Sequence, residues 1–211
     1  MRKLETSPTE ADALAIDTLL ARALPEGGAA VAAALAPLFR RQVVTKGEGL
    51  LAQGHVWRDA LVVEQGLLRL YFVRRDGREF NKNFFPDGAF FCPLTPAMWD
   101  QPSLFAIGTL DAGAVWRADA AALRRGLEAQ GVWAPVQRRL LERLITHKLQ
   151  REHDLLTLDG SHRYETFCRR EPLLAERVPL NHLASYLRMT DVTLSRIRRR
   201  YPPDRTDVKG A

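Results

Sequence analysis

The chain has 211 residues, 46% of them apolar and 27% charged, which suits a soluble globular protein with room for one large or two modest cores. Its 31 Lys and Arg outnumber 25 Asp and Glu, for a formal charge of +6. Cys92 and Cys168 are the only cysteines and form no CxxC, which excludes a disulfide framework and a cysteine-based zinc or iron–sulfur site. No apolar run is long enough to span a bilayer and no cleavable leader pattern opens the chain, so a cytoplasmic location without membrane contact is expected.

The first segment, residues 1–40, is alanine-rich and helical in pattern, broken by Pro25-Glu26-Gly27-Gly28 before a second helix reaching Phe39. Residues 41–118 change texture to short extended runs cut by turn residues. Gln42–Thr45 precedes Lys46-Gly47-Glu48-Gly49, and Ala60–Val63 precedes Glu64-Gln65-Gly66. Leu67–Val73 then runs into Arg74-Arg75-Asp76-Gly77-Arg78, a hairpin signal of the Asp-Gly kind. Such closely spaced strands predict a β-sandwich or barrel-like roll. Phe84, Phe90, Phe91, Cys92, Trp99, Ser103 and Phe105 cluster in its second half. They are candidates for an effector pocket, with a well-filled aromatic core as the competing account. Lys82 sits at a strand position with no reason to face inward.

Residues 119–158 turn helical again. A helix over 119–129 stops at Gly131, and Pro135 opens a longer one to about Leu158. Val136, Leu140, Leu141, Leu144, Ile145 and Leu155 lie on a stripe wider than one helix needs against its own roll. A two-fold dimer helix fits this stripe; a helix packed only within its monomer is the alternative. The histidines are scattered. His147 and His153 lie on different faces of this helix, His55 stands alone, and His162 and His182 read as surface or capping groups. No metal site and no cofactor are expected.

Residues 159–211 contain Leu180–Arg200, LNHLASYLRMTDVTLSRIRRR, which reads as two short helices around a corner at Arg188-Met189-Thr190. Leu183, Ala184 and Leu187 form the inner face of the first helix, and Leu194 and Ile197 pack back from the second. Thr190 is a good N-cap, and Asp191 suits the positive end of the following helix. The spacing is that of a helix-turn-helix, whose second helix enters a DNA major groove. Charge agrees: residues 161–211 hold 11 Lys and Arg against 6 Asp and Glu, whereas residues 1–118 hold 13 of each. A solvated amphipathic hairpin remains the plainer alternative.

Taken together, an α+β chain with an N-terminal β-roll, a long central dimerisation helix and a C-terminal all-α helix-turn-helix resembles the Crp/Fnr family of bacterial transcription regulators. The residues that carry the resemblance are Gly47-Glu48, Gln53-Gly54, Gly66–Leu70, Asp76-Gly77, Pro86-Asp87-Gly88 and Leu194-Ser195-Arg196. It implies a homodimer reading an inverted repeat, with double-stranded DNA, a second copy of the chain and RNA polymerase as partners. Carried onto the second helix, it implies Arg196 as the base-reading residue, since a guanidinium can donate two parallel bonds to a guanine edge. Ser195 and Thr193 then reach bases or phosphates, Val192 a thymine methyl, and Thr190, Arg199 and Arg200 phosphates. Arg188 stands where the family's corner glycine is usual, which implies a non-glycine residue at positive φ or a reshaped corner. The chain ends soon after Tyr201-Pro202-Pro203, so no β-hairpin wing is expected and Asp204–Ala211 reads as a tail.

The family's cyclic-nucleotide motif does not carry over. Where the resemblance places a Gly-Glu pair and an Arg-Ser/Thr-Ala segment, this chain has Cys92-Pro93 and Ser103-Leu104-Phe105, with no arginine between Arg78 and Arg117. A buried phosphodiester without a guanidinium partner forgoes a charge-assisted contact of about 1.5–3 kcal/mol, so cyclic AMP is not the expected effector. Two function classes remain: a DNA-binding regulator with another effector or none, and a sensor or protein-interaction module that does not read DNA. No catalytic constellation points to an enzyme.

Overall fold

In a computed structural model the chain is described over residues 10–200; the N-terminal nine residues and the tail expected from Asp204 lie outside the described residues. Helices α1 (Glu10–Ala23) and α2 (Gly28–Leu35) lead into strands β1 (Arg40–Val44), β2 (Gly49–Leu51), β3 (Asp59–Gln65), β4 (Leu68–Val73), β5 (Glu79–Phe85) and β6 (Phe90–Phe91). A short α3 (Pro96–Asp100) precedes β7 (Ala106–Thr109) and β8 (Gly113–Asp119). The strands form two antiparallel four-stranded sheets, ordered β1-β8-β3-β6 and β2-β7-β4-β5.

Burial on both faces explains why β3 reads as an unbroken apolar run. Leu61 and Val63 point into the roll beside Val44, Leu68, Leu70, Ile107 and Val115. Ala60 and Val62 point out, under a helical cover that includes Leu20, Leu24, Leu35, Leu123 and Leu127. A sheet covered on both faces loses the apolar–polar alternation of a half-exposed one. The Asp76-Gly77 signal does close the β4–β5 hairpin: Gly77 takes φ +78 and the Arg74 amide donates to Arg78 O at 2.9 Å.

The pairing of β4 with β5 shifts register between Leu70↔Asn83 and Tyr71↔Asn81, which leaves Lys82 as the extra residue of a bulge. Its side chain is consequently not on the solvent face: the ammonium lies 5.6 Å from the Phe105 ring centroid. Burial, with Lys148 and Arg151 nearby, lowers its pKa to about 8.

The Asp119 carboxylate caps α4 (Ala120–Ala129) by accepting from the Ala122 amide at 2.7 Å. The long helix α5 spans Trp133–Thr157 and therefore starts two residues ahead of Pro135, which sits in the first turn where its missing amide has no helical partner. Four helices complete the described chain: α6 (Gly160–Arg170), α7 (Pro172–Arg177), α8 (Leu180–Tyr186) and α9 (Asp191–Arg200).

The expected dimer stripe needs correction along α5. Val136 is 0% exposed and belongs to the core beneath α1 and α2, and Leu140 and Leu141 pack against the same core. Arg139 is tied there too, by an ion pair to Glu26 and a 2.7 Å bond to Ala23 O. The first half of α5 is thus committed within the chain. Leu144 and Leu155 are half-buried. Of the apolar stripe, Ile145, Leu149 and Leu156 are the residues that face outward, at 55%, 62% and 78% exposure. Spacings of four and seven put these three on one side of the helix.

Candidate nucleic-acid interface

The C-terminal unit is assembled on one apolar cluster. Leu183, Ala184 and Leu187 of the α8 region meet Leu194 and Ile197 of α9, and Tyr164, Phe167, Leu174 and Val178 close the far side. With those faces buried, the remaining α9 positions are dictated by helical geometry. Thr190, Val192, Thr193, Arg196, Arg199 and Arg200 are exposed, and Ser195 is half-buried beside them. Thr190 Oγ1 accepts from the Thr193 amide at 3.1 Å, so the helix start is capped and Asp191 stands in its first turn.

Arg198 belongs to a different role from its neighbours. It turns inward, donating to Ala175 O at 2.5 Å and to the Tyr164 hydroxyl at 3.4 Å, and so pins α9 to α6 and α7. Among the described residues Arg188 alone pairs a side chain with positive φ, at 58°. The corner therefore keeps the left-handed backbone usually given to glycine, rather than being reshaped. From this corner the Arg188 guanidinium reaches over the Phe80 ring, 5.3 Å from its centroid.

The unit is docked on the roll through α8. The Asn81 amide donates to Ser185 Oγ at 3.0 Å, and Asn81 Nδ2 donates to His182 O at 3.1 Å. Arg69 pairs with Glu79 at 2.6 Å and lies 3.4 Å from His182 Nδ1. Phe84 packs on Tyr186 at 5.4 Å between centroids. Arg177 bridges Asp87 at 2.7 Å and Asp111 at 3.0 Å, which raises its pKa through those hydrogen bonds. None of this docking is legible in sequence, because Arg177 and Asp87 are 90 residues apart and no pattern links them.

His182 is accordingly neither a cap nor a free surface group. Burial first, and then the charge of Arg69, lowers its pKa. The folded state thus binds protons less readily than the unfolded chain, whose histidine titrates near about 6.5. Its stabilising contribution is complete above that value and is lost as pH falls toward the lowered folded value. Thermal melts from pH 8 to pH 5 are expected to show a fall in Tm on the acid side that is shallower in His182→Gln. Equal acid slopes in both proteins would contradict the lowered pKa of the half-buried His182.

The residues expected to form one effector pocket are separated by the fold. Phe91 and Phe105 lie in the roll interior with Trp57, and Phe91 stacks on Phe85 at 4.0 Å. Phe84 faces the opposite way, into the C-terminal cluster. Phe90 and Cys92 face the helical cover, where burial pushes the Cys92 thiol up to about 12. Trp99 sits by Trp133, 6.0 Å between centroids, with Arg124 over it at 4.4 Å. The Ser103 hydroxyl donates to Phe105 O at 2.8 Å, a turn contact. The cause is strand alternation: neighbouring residues of one strand must enter different cores.

A cleft of about 80 Å³ lies elsewhere, between α5, α6 and the end of α8, lined by His147, Arg151, Asp154, Leu155, Arg163 and Tyr186 among others. Its charges serve the joint. Arg170 pairs with Asp154 at 2.5 Å, Arg163 donates to Leu158 O and Leu187 O, and Arg151 donates to Tyr186 O at 3.0 Å. Among the described residues no group of three or more His, Cys, Asp or Glu is placed to hold a metal ion, and no helix is long and apolar enough to cross a membrane.

No protein-family model matches the chain, and no curated protein matches its sequence. Its fold, however, matches solved structures. The c-di-GMP-responsive global regulator CLP of Xanthomonas campestris aligns with a TM-score of 0.66 at 14% identity, over 82% of this chain and 90% of that one. FixK2 of Bradyrhizobium japonicum aligns at 0.63 with 20% identity, over 76% and 82%. The catabolite activator protein of Thermus thermophilus aligns at 0.51 with 18% identity, over 86% and 85%. At 14–20% identity the likeness to these three is one of fold.

Proposed function

We propose that the chain is a sequence-specific, DNA-binding transcription regulator that acts as a homodimer on an inverted repeat, with an effector other than cyclic AMP or none. The observation that carries this reading is the division of α9: Leu194 and Ile197 are buried, Arg198 is turned inward, and Val192, Thr193, Arg196, Arg199 and Arg200 are exposed around a capped helix start. A helix so anchored presents a rigid, cationic face of the width a major groove admits. Arg196 reads a guanine edge, Val192 meets a thymine methyl, and Ser195 and Thr193 add hydrogen bonds to bases or phosphates. Thr190, Arg199 and Arg200 hold phosphates.

Dimerisation supplies the second half-site. The outward Ile145, Leu149 and Leu156 face of α5 is the surface proposed to meet its copy, and the two-fold symmetry of such a dimer would match that of an inverted repeat. The structural neighbours, a global regulator and a catabolite activator protein among them, support the reading at the level of fold. RNA polymerase is proposed as a further partner on the same ground.

Selection of duplexes from a random library by the purified protein, at two salt concentrations, tests the proposal. An enriched inverted repeat is expected, its half-sites one helical turn apart (about 34 Å) and its binding steeply weakened by salt. A library recovered without any enriched motif would overturn the reading and leave the roll as the functional unit.

A further inference from the structure

The tip of the β4–β5 hairpin carries Arg74, Arg75 and Arg78, all exposed, around a single carboxylate, Asp76. Asp76 stands 4.0 Å from Arg74 and 3.8 Å from Arg78, long separations for exposed pairs, which screen and hold little. Asp76 Oδ1 also accepts from the Arg78 amide at 3.1 Å, so three exposed arginines stand on a tip whose one carboxylate is engaged by its own turn. The hairpin that presents them is held firmly at its base, because the Gln53 side chain donates to Val73 O at 3.0 Å and accepts from the Val73 amide at 2.7 Å.

This tip is contiguous with the helix-turn-helix corner. Arg74 lies 5.9 Å from the Phe80 ring centroid and Arg188 lies 5.3 Å from the same centroid. The two cations, one from the roll and one from the corner, are therefore no farther apart than those distances combined. Arg188 reaches that position from a backbone at φ 58, a conformation uncommon for a residue with a side chain. The bonds from Asn81 to Ser185 and His182 fix β5 against α8, so the hairpin and the corner move together. Immediately beyond the corner come Thr190 and the start of α9.

We infer that the β4–β5 hairpin is a second DNA-contacting element, in which Arg74, Arg75 and Arg78, continued by Arg188, bind phosphates flanking the site that α9 reads. The inference rests on the DNA-binding reading above. Its chemistry is that of positioning: cations matched to a backbone add affinity and salt dependence but no sequence preference. Arg74 and Arg188 on one ring, with Arg75 and Arg78 beside them, outnumber the single Asp76 at the tip; such a cationic surface gains by meeting an anion, and the partner already proposed is a polyanion.

The test titrates the duplex recovered by selection, with long flanks and trimmed to the core, against the full chain, its R74A/R75A/R78A variant and its R74K/R75K/R78K variant over a range of salt. For the alanine variant the slope of log K against log salt is expected to become shallower by about 0.9 for each phosphate left unneutralised, on the long duplex only, with the selected motif unchanged. The lysine variant, which keeps the charge, is expected to restore the slope. Equal slopes for the full chain and the alanine variant on a duplex that both recognise would overturn the hairpin's role and leave the α9 reading standing. Loss of promoter activation with unaltered slopes would overturn it likewise and assign the arginines to a protein partner. A full chain that binds no duplex in a salt-dependent way would overturn both readings. Melting curves of the variants, whose altered residues are all exposed, are expected to overlay that of the parent.

Discussion

Arg196→Ala is expected to relax discrimination between the selected duplex and random DNA while leaving weak, salt-sensitive binding in place. Arg196 is exposed on α9, one turn beyond Val192, on the face left open once Leu194 and Ile197 have been buried. A bidentate arginine–guanine pair contributes about 1–3 kcal/mol of discrimination, which corresponds to roughly 5- to 140-fold in affinity per half-site. The phosphate contacts proposed for Arg199 and Arg200 do not depend on it, so binding to random duplex is expected to change far less. Competition titrations with the selected duplex and a scrambled one separate the two effects. A variant that loses affinity equally for both would move Arg196 from the bases to the backbone.

Leu194→Ala is expected to cost about 2–5 kcal/mol of stability, the usual range for removing a buried leucine and leaving part of its cavity. Leu194 is 0% exposed at the centre of the cluster that joins α6, α7, α8 and α9. Set against a typical total of about 5–15 kcal/mol, that loss is enough to melt the C-terminal unit well before the parent. Val192→Ala, two residues earlier, is the matched control. Val192 is 60% exposed, so its truncation is expected to stay within about 0.5 kcal/mol. Chemical denaturation of the three proteins side by side measures both values. Equal midpoints for the two variants would contradict the assigned burial of α9.

These two residues also show how far the chain is legible from its letters alone. Leu183, Leu187, Leu194 and Ile197 recur at helical spacing, so the inner and outer faces of α8 and α9 can be read without coordinates. Local chemistry extends this to Thr190 as a cap and to the Asp76-Gly77 hairpin, while Asp119 as a cap and the choice of positive φ over a reshaped corner at Arg188 come from the structure. Elsewhere the same reasoning misdirects. The aromatic residues from Phe84 to Phe105 are close in sequence, yet alternation along β5 and β6 and the turn to α3 send them into different cores. Val136 reads as part of an intermolecular seam because the stripe on α5 is apolar, and apolarity does not say which surface covers it.

Charged residues divide in the same way. Of the four arginines between positions 196 and 200, helical spacing leaves only Arg198, four residues after Leu194, off the outer faces, but it does not name the partners Ala175 O and the Tyr164 hydroxyl. Arg177, Asn81 and His182 carry no sequence signal for the interface they form. The sequence by itself determined the β-roll and long-helix segments, the Asp76-Gly77 turn, the Thr190 cap and the two faces of the helix-turn-helix, because each depends on φ/ψ preference or periodicity within a few residues. Only the tertiary structure decided which apolar face meets which core, what Arg198 bonds to and where the hairpin stands beside the corner. Those outcomes depend on packing and hydrogen bonding between segments more than 100 residues apart, as between Asn81 and Ser185 or Arg139 and Ala23, and no local preference encodes them.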